Sequence, residues 1–310
     1  MDFIAQAFTG KVKWHHYFFG TLLSFFIMQF GAFPLLFIRD YANSSKANTA
    51  TLNPGIDNNL FLFLMIIPFA LGLFGLIIAI KKIHNLPFLK VLTARKQFDW
   101  RRTLIAFIAW FAISYTMIMI DYFIFPEHYI LNFKLIPFTI LVLVSVLFLP
   151  FQTSFEEVYF RGYLMQGFGV ITKYRVVALI ITSMAFGLLH GANPEVAKLG
   201  NLLLIYYVIT GFFFGIITLM DDGLELTLGL HAANNIFTAL FVTTNWSVFQ
   251  TDALFIDNSE PEMNWMLFVP LFLVYPLVLL WFSKKFAWKN WRQKLFGNVE
   301  IPININENIS

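Results

Sequence analysis

Uncharged apolar runs recur along this chain at the length a membrane crossing requires. Six of them, residues 17–38, 60–80, 103–120, 135–155, 201–220 and 264–283, contain no Asp, Glu, Lys or Arg. Each is long enough to cross ~30 Å of hydrocarbon as a helix. Two further runs are less clean. Residues 176–189 are short and end on His190, and residues 226–251 carry His231 as their sole ionisable group. Together they predict an all-α, polytopic membrane protein of about eight transmembrane helices. The first run exceeds the ~7–15 residues of a signal-peptide core and reads as a retained span. No internal repeat and no Gly/Ser linker interrupts the pattern. We divide the chain into three N-terminal spans (1–134), a central group of helices (135–245), and an outer loop with a last span and tail (246–310).

Composition agrees with this pattern. The chain is 58% hydrophobic and 13% charged, against about 25% charged residues in soluble domains. A lipid bilayer is therefore a partner. The net charge of +3 gives no reason to expect nucleic acid. The absence of cysteine excludes disulfides, thiolate metal sites and a Cys nucleophile. Basic residues gather beside particular spans: Lys81, Lys82, Lys90, Arg95, Lys96, Arg101 and Arg102 in one link, and Lys284, Lys285, Lys289, Arg292 and Lys294 in the tail. The positive-inside rule places both in the cytoplasm, with Lys11 and Lys13 putting the N-terminus there too. Residues 245–263 hold Asp252, Asp257, Glu260 and Glu262 without Lys or Arg and are expected outside. An even number of spans is consistent with two cytoplasmic termini. The polar stretch 43–59 reads as an outer loop, and 301–310 as a disordered tail.

Against this background the charges directly after residues 135–155 stand out: Glu156, Glu157 and Arg161. Ionisable groups at membrane depth are costly, usually paired, and commonly functional. Glu157 and Arg161 are four apart on one helical face, in the favourable order for an ion pair. Glu156 points about 100° away and is free to face another group. Two other polar sites are Phe186-Gly-Leu-Leu-His190 and His231-Ala-Ala-Asn-Asn235, the second with its outer residues on one face. A turn at 172–174 should make residues 156–190 a helical hairpin. Glu156 lies 17 residues before Lys173 and His190 lies 17 after it, so the two come level. His231, eight residues past Gly223, matches that depth only if the first hairpin protrudes. Gly187/Gly191 and Gly211/Gly215 show the small-xxx-small spacing of closely approaching helices.

Glu-Glu-x-x-x-Arg, then Phe-x-x-x-His, then His-x-x-x-Asn, in this order on apolar helices, resembles the CPBP (ABI) intramembrane proteases. That family includes the type II CAAX prenyl endopeptidases and lysostaphin-resistance-like proteins. The resemblance covers roughly residues 140–245. It implies an eight-helix membrane peptidase whose site opens to the cytoplasm. Glu156 and His190 would activate water, His231 and Asn235 would stabilise the oxyanion, and Glu157 and Arg161 would support the site. It implies as substrate a membrane-associated protein or peptide, or a prenylated CAAX-like one, and as location a bacterial cell membrane.

The groups themselves suit peptide hydrolysis, which needs a base for water, donors for an oxyanion and a proton for the leaving amine. A metal reading competes: Glu156, His190 and His231 could hold zinc with water as fourth ligand, leaving Glu157 as base. Against it, no His-x-x-x-His pair lies on one helix and Asn is a poor zinc ligand. The metal-free reading comes first, with no tightly bound cofactor expected. Two non-peptidase readings stand beside it. An immunity or scaffold protein of the same fold would tolerate loss of Glu156. A proton-relaying transporter would show inverted repeats.

Overall fold

A computed structural model describes residues 2–44, 53–263 and 265–302; most of the predicted tail, and part of the stretch 43–59, lie outside these. The described chain is helical almost throughout. Its helices are α1 (Trp14–Ser44), α2 (Asn58–Ile78), α3 (Leu89–Leu92), α4 (Trp100–Ile124), α5 (Leu135–Glu157), α6 (Met165–Thr172), α7 (Arg175–Leu189), α8 (Pro194–Leu199), α9 (Leu203–Asp221), α10 (Glu225–Phe241), α11 (Tyr275–Lys285) and α12 (Trp291–Phe296). Six continuous helical segments among the described residues are long and apolar enough to cross a membrane: Trp14–Ile38, Asn58–Ile83, Trp100–Ile124, Leu135–Thr172, Arg175–Ala192 and Leu203–Asp221. The other two expected spans are helical but less regular. With 17 residues, α10 reaches only ~25 Å. The last is assembled from a 3-10 turn (Trp265–Phe268), a π turn beginning at Pro270, and α11.

The large side chains left uncovered are apolar, Phe37, Phe123 and Phe272 among the most exposed. In water such a surface would drive association; in a bilayer it faces lipid. The interior, by contrast, contains the buried charges Glu156, Glu157 and Arg161.

One expected boundary is corrected. The run 226–251 is helical only to Phe241. The β-branched Val242 and Thr243 continue it as strand β2 (Val242–Thr243), parallel to β3 (Phe255–Asp257), which also pairs antiparallel with β1 (Tyr129–Leu131). This small sheet and Asp252, which accepts from the side chains of Asn58 and Asn59 (3.0 and 3.2 Å), tie the connections together at one end of the bundle.

Both terminal segments lie at the other end. A 3-10 turn (Ile4–Thr9) buries Phe3 and Ile4 against α6. Gln166 donates to Phe3 O and Lys90 O (2.9 and 2.8 Å). Behind α12, Val299 N donates to Lys173 O (2.8 Å) and Arg175 N to Gly297 O (3.4 Å). Asp221 gathers Arg95, Arg102 and the Trp288 indole, joining the basic link, the end of α9 and the tail.

The predicted hairpin turn is present. Lys173 adopts a left-handed conformation (φ 67°) that ends α6, and α7 runs back. The expected mismatch in depth is accommodated by protrusion. A Cβ at Gly162 would stand 2.7 Å from Val91 Cγ1 and 3.4 Å from Leu224 Cδ1, so Gly162 lies beside the start of α10. The tip at Lys173 therefore lies about 15 Å further along the helix, wrapped by the terminal segments. Two of the four glycines set the approach of α7 to α9. A Cβ at Gly187 would lie 2.6 Å from Val208 N, and one at Gly211 2.6 Å from Ser183 O. Gly215 meets side-chain atoms of Leu179, while Gly191 would make only an ordinary contact with Leu204 (3.6 Å).

Candidate active site

Glu156 and Glu157 are the last two residues of α5, and the chain then widens into a π turn (Val158–Leu164) that carries Arg161. The glutamates diverge from there. Glu157 is fully buried, and its Oε1 accepts from Arg161 Nη1 (3.0 Å) and His231 Nδ1 (2.8 Å). The predicted i, i+4 ion pair is thus shared with a histidine of α10, which packs directly against α5. Arg161 is also fully buried. Its guanidinium lies over the Phe186 ring at 4.0 Å, with Phe214 at 5.3 Å, and its Nη2 donates to Gly211 O (3.4 Å). With the Phe160 ring at 5.9 Å as a third, aromatic rings and one carboxylate keep this charge in place; such a pair is costly to bury and costlier to break.

Because Glu157 takes the Nδ1–H, the His231 ring turns its other nitrogen toward Glu156. His231 Nε2 stands 3.7 Å from Glu156 Oε2, an oxygen with no hydrogen-bond partner among the described residues. The other oxygen of Glu156 accepts from Gln152 Nε2. Gln152 Oε1 in turn accepts from Asn235 Nδ2 (2.8 Å). Asn235 Oδ1 accepts from Asn234 (3.1 Å), whose own Oδ1 accepts from the Trp110 indole (3.2 Å). An amide chain therefore runs from α4 through α10 to the first carboxylate.

His190 caps the end of α7. Its Nδ1 donates to Phe186 O (2.7 Å), and its ring stacks on Tyr207 of α9 at 4.4 Å and 25°. It is half-buried. No hydrogen bond joins it to Glu156.

The structure thus gathers Glu156, Glu157, Arg161, His231 and Asn235 into one connected set and leaves His190 at its edge. Two sequence-level expectations need adjusting. One Asn235 N–H is engaged by Gln152, and Glu157 serves His231 as well as Arg161. Gln152, Asn234, Trp110 and Tyr207 belong to the site without having been singled out. Gln152 could have been found, being four residues before Glu156 on the same face. Tyr207 carries no such signal. Among the described residues no three His, Asp or Glu side chains converge on one point as a metal set requires. Glu156 Oε2 and His231 Nε2 lie together as two donors, and the Nδ1 contacts of the histidines leave each Nε2 available, but no third donor converges with them. The residues as placed do not fit a zinc site, and no step below passes through one.

The sequence profile described as "Rce1-like: Type II CAAX prenyl endopeptidase Rce1-like" matches residues 135–237, which contain all three motifs. A Bacillus subtilis (strain 168) protein named "Uncharacterized protein YyaK" is 34% identical over 214 residues, 68% of this chain and 72% of the relative. No solved structure matches the chain.

Proposed function

Since the chain belongs to the Rce1-like family of CPBP membrane proteins, we propose that it is an intramembrane endopeptidase hydrolysing a peptide bond in a membrane-associated protein or a prenylated, CAAX-like peptide. The observation that carries this reading is the pairing of Glu156 Oε2 with His231 Nε2 at 3.7 Å, backed by a fully buried Glu157–Arg161 pair. Four ionisable groups of alternating sign sit together there. With His231 protonated, they sum to zero.

In this reading water enters between Glu156 and the substrate carbonyl. Glu156 takes its proton as the oxygen attacks. The negative charge moves from the glutamate to the tetrahedral oxyanion, so the net charge of the cluster and substrate stays constant. His231 Nε2–H and the remaining Asn235 N–H are the donors for that oxyanion. His190, at the edge, orients the water or the departing group. Collapse breaks the C–N bond, and the proton held by Glu156 passes to the leaving amine. Glu157 and Arg161 hold the His231 ring direction without touching substrate.

The test is Glu156→Gln, which keeps the shape and the Gln152 contact. Cleavage should fall at least ~10²-fold, as for loss of a general base, with the melting temperature in detergent nearly unchanged. The readout is comparative proteomics of membrane-derived peptides from cells carrying either form. Equal peptide patterns would favour the scaffold reading.

A further inference from the structure

His190 is held differently from the other site residues. It sits where α7 loosens into a 3-10 turn (His190–Ala192), is half-buried, and has one described polar partner, the Phe186 carbonyl four residues back. That hydrogen bond fixes Nδ1, and the Phe186 ring lies tilted against the imidazole at 4.6 Å and 52°. The second restraint is Tyr207, whose ring covers one face of the imidazole at 4.4 Å and 25°. Tyr207 is restrained in turn. The Asn193 side chain donates to its hydroxyl (3.5 Å). The short α8 that follows Asn193 is pinned by Glu195, which accepts from Val248 N (2.7 Å) in the connection after α10. Across the helix pair, Gly187 lets α9 approach to backbone contact beside Val208, one residue from Tyr207. The ring is thus delivered to His190 by a close helix crossing.

We propose that Tyr207 is a positioning residue for His190, its ring face holding the imidazole with Nδ1 on Phe186 O and Nε2 directed to the site. The inference rests on the reading of His190 as part of the water-activating group. It names a requirement that none of the three motifs contains. The aromatic face is what matters, and the hydroxyl is secondary: it anchors the ring to the Asn193 turn and contacts no ionised site group.

Two readouts separate this inference from the peptidase reading. The first needs no activity. Purified protein in detergent is treated with diethyl pyrocarbonate, and modification of His190 relative to His128 is followed by mass spectrometry. Tyr207→Leu should raise the relative rate at His190 severalfold, and Tyr207→Phe should leave it within about twofold of wild type, since the stack survives. The second is kinetic. Tyr207→Leu should lower kcat about tenfold with KM little changed, matching loss of one aromatic stack, and Tyr207→Phe should restore it. Unchanged His190 reactivity in a folded Tyr207→Leu protein overturns the inference. A raised reactivity with no cleavage by any form, wild type included, upholds the positioning and sinks the peptidase reading. If Tyr207→Leu fails to fold, Tyr207→Trp keeps an aromatic face, and loss of His190 protection there overturns the inference instead.

Discussion

Two adjacent glutamates meet different partners because a helix turns about 100° per residue. Among the described residues each keeps one buried oxygen without a hydrogen-bond partner, but the other oxygen of Glu156 rests on an amide, while that of Glu157 takes both an arginine and a histidine. Removing either member of the enclosed pair strands a buried charge, which typically costs about 3–5 kcal/mol. Glu157→Gln and Arg161→Ala should therefore each lower thermal stability strongly, unlike Glu156→Gln. The double variant should lose less than the two singles combined, because neither charge is left alone. Thermal melts of all four proteins in one detergent measure this. A dead, stable Glu157→Gln beside an active Glu156→Gln would reverse the two roles. The six motif residues and the Glu157–Arg161 pairing were legible from spacing and charge. The Glu157–His231 bond was not, because it joins residues 74 apart, and nothing local selects which of two neighbouring carboxylates a distant ring will meet. Tyr207 was hidden for the same reason: one tyrosine on an apolar helix is indistinguishable from core.

At the scale of helices, the hairpin of α5, the π turn, α6 and α7 sets the depth of the site, and α9 clamps it. The equal distances of Glu156 and His190 from Lys173 were readable, as was the turn itself. Protrusion of the tip was only deducible from a mismatch of depths; its cause is the packing of Gly162 against Val91 and Leu224. The glycine spacing was readable too, but which glycines bear on a neighbouring backbone was not. Gly211→Ala would push a methyl group to 2.6 Å from Ser183 O and should destabilise by about 1–3 kcal/mol, as overpacking does. Gly191→Ala, with only Leu204 at 3.6 Å, should be near neutral. Equal melting temperatures for the two variants would refute the backbone-contact account of the α7–α9 crossing.

For the whole molecule, the ends of the bundle differ in character. One carries the basic link and both terminal segments, the other the small sheet and an acidic connection. Reporters fused at Lys90 and Lys289 should read cytoplasmic and one at Asp257 should read external; a cytoplasmic signal at Asp257 would break the eight-span topology. At the terminal end, His84 bridges Lys11 O (2.7 Å) and the Tyr163 hydroxyl (2.8 Å), joining the N-terminal segment to the π turn. Burial, more than its neighbours, lowers its pKa below the usual 6.5. The folded protein thus favours neutral His84, and the unfolded chain takes up the proton first as pH falls. Stability from this group is complete above about pH 6.5 and is lost as pH drops toward the lowered value. Melting temperature should decline over that acid window in the native protein and decline less in His84→Gln.

The strap formed by α12 and the residues behind it grips the hairpin tip through Gly297 and Val299, yet it is translated only after α8 to α11. The helices bearing both glutamates and His190 therefore leave the ribosome well before the segment that fastens their turn. During synthesis the tip must stay unfastened, and the buried charges of the hairpin must wait for His231 and then for the strap. Maturation of the site is in this sense a matter of timing. A nascent chain stalled before residue 291 would hold every motif residue in a bundle still lacking its clasp.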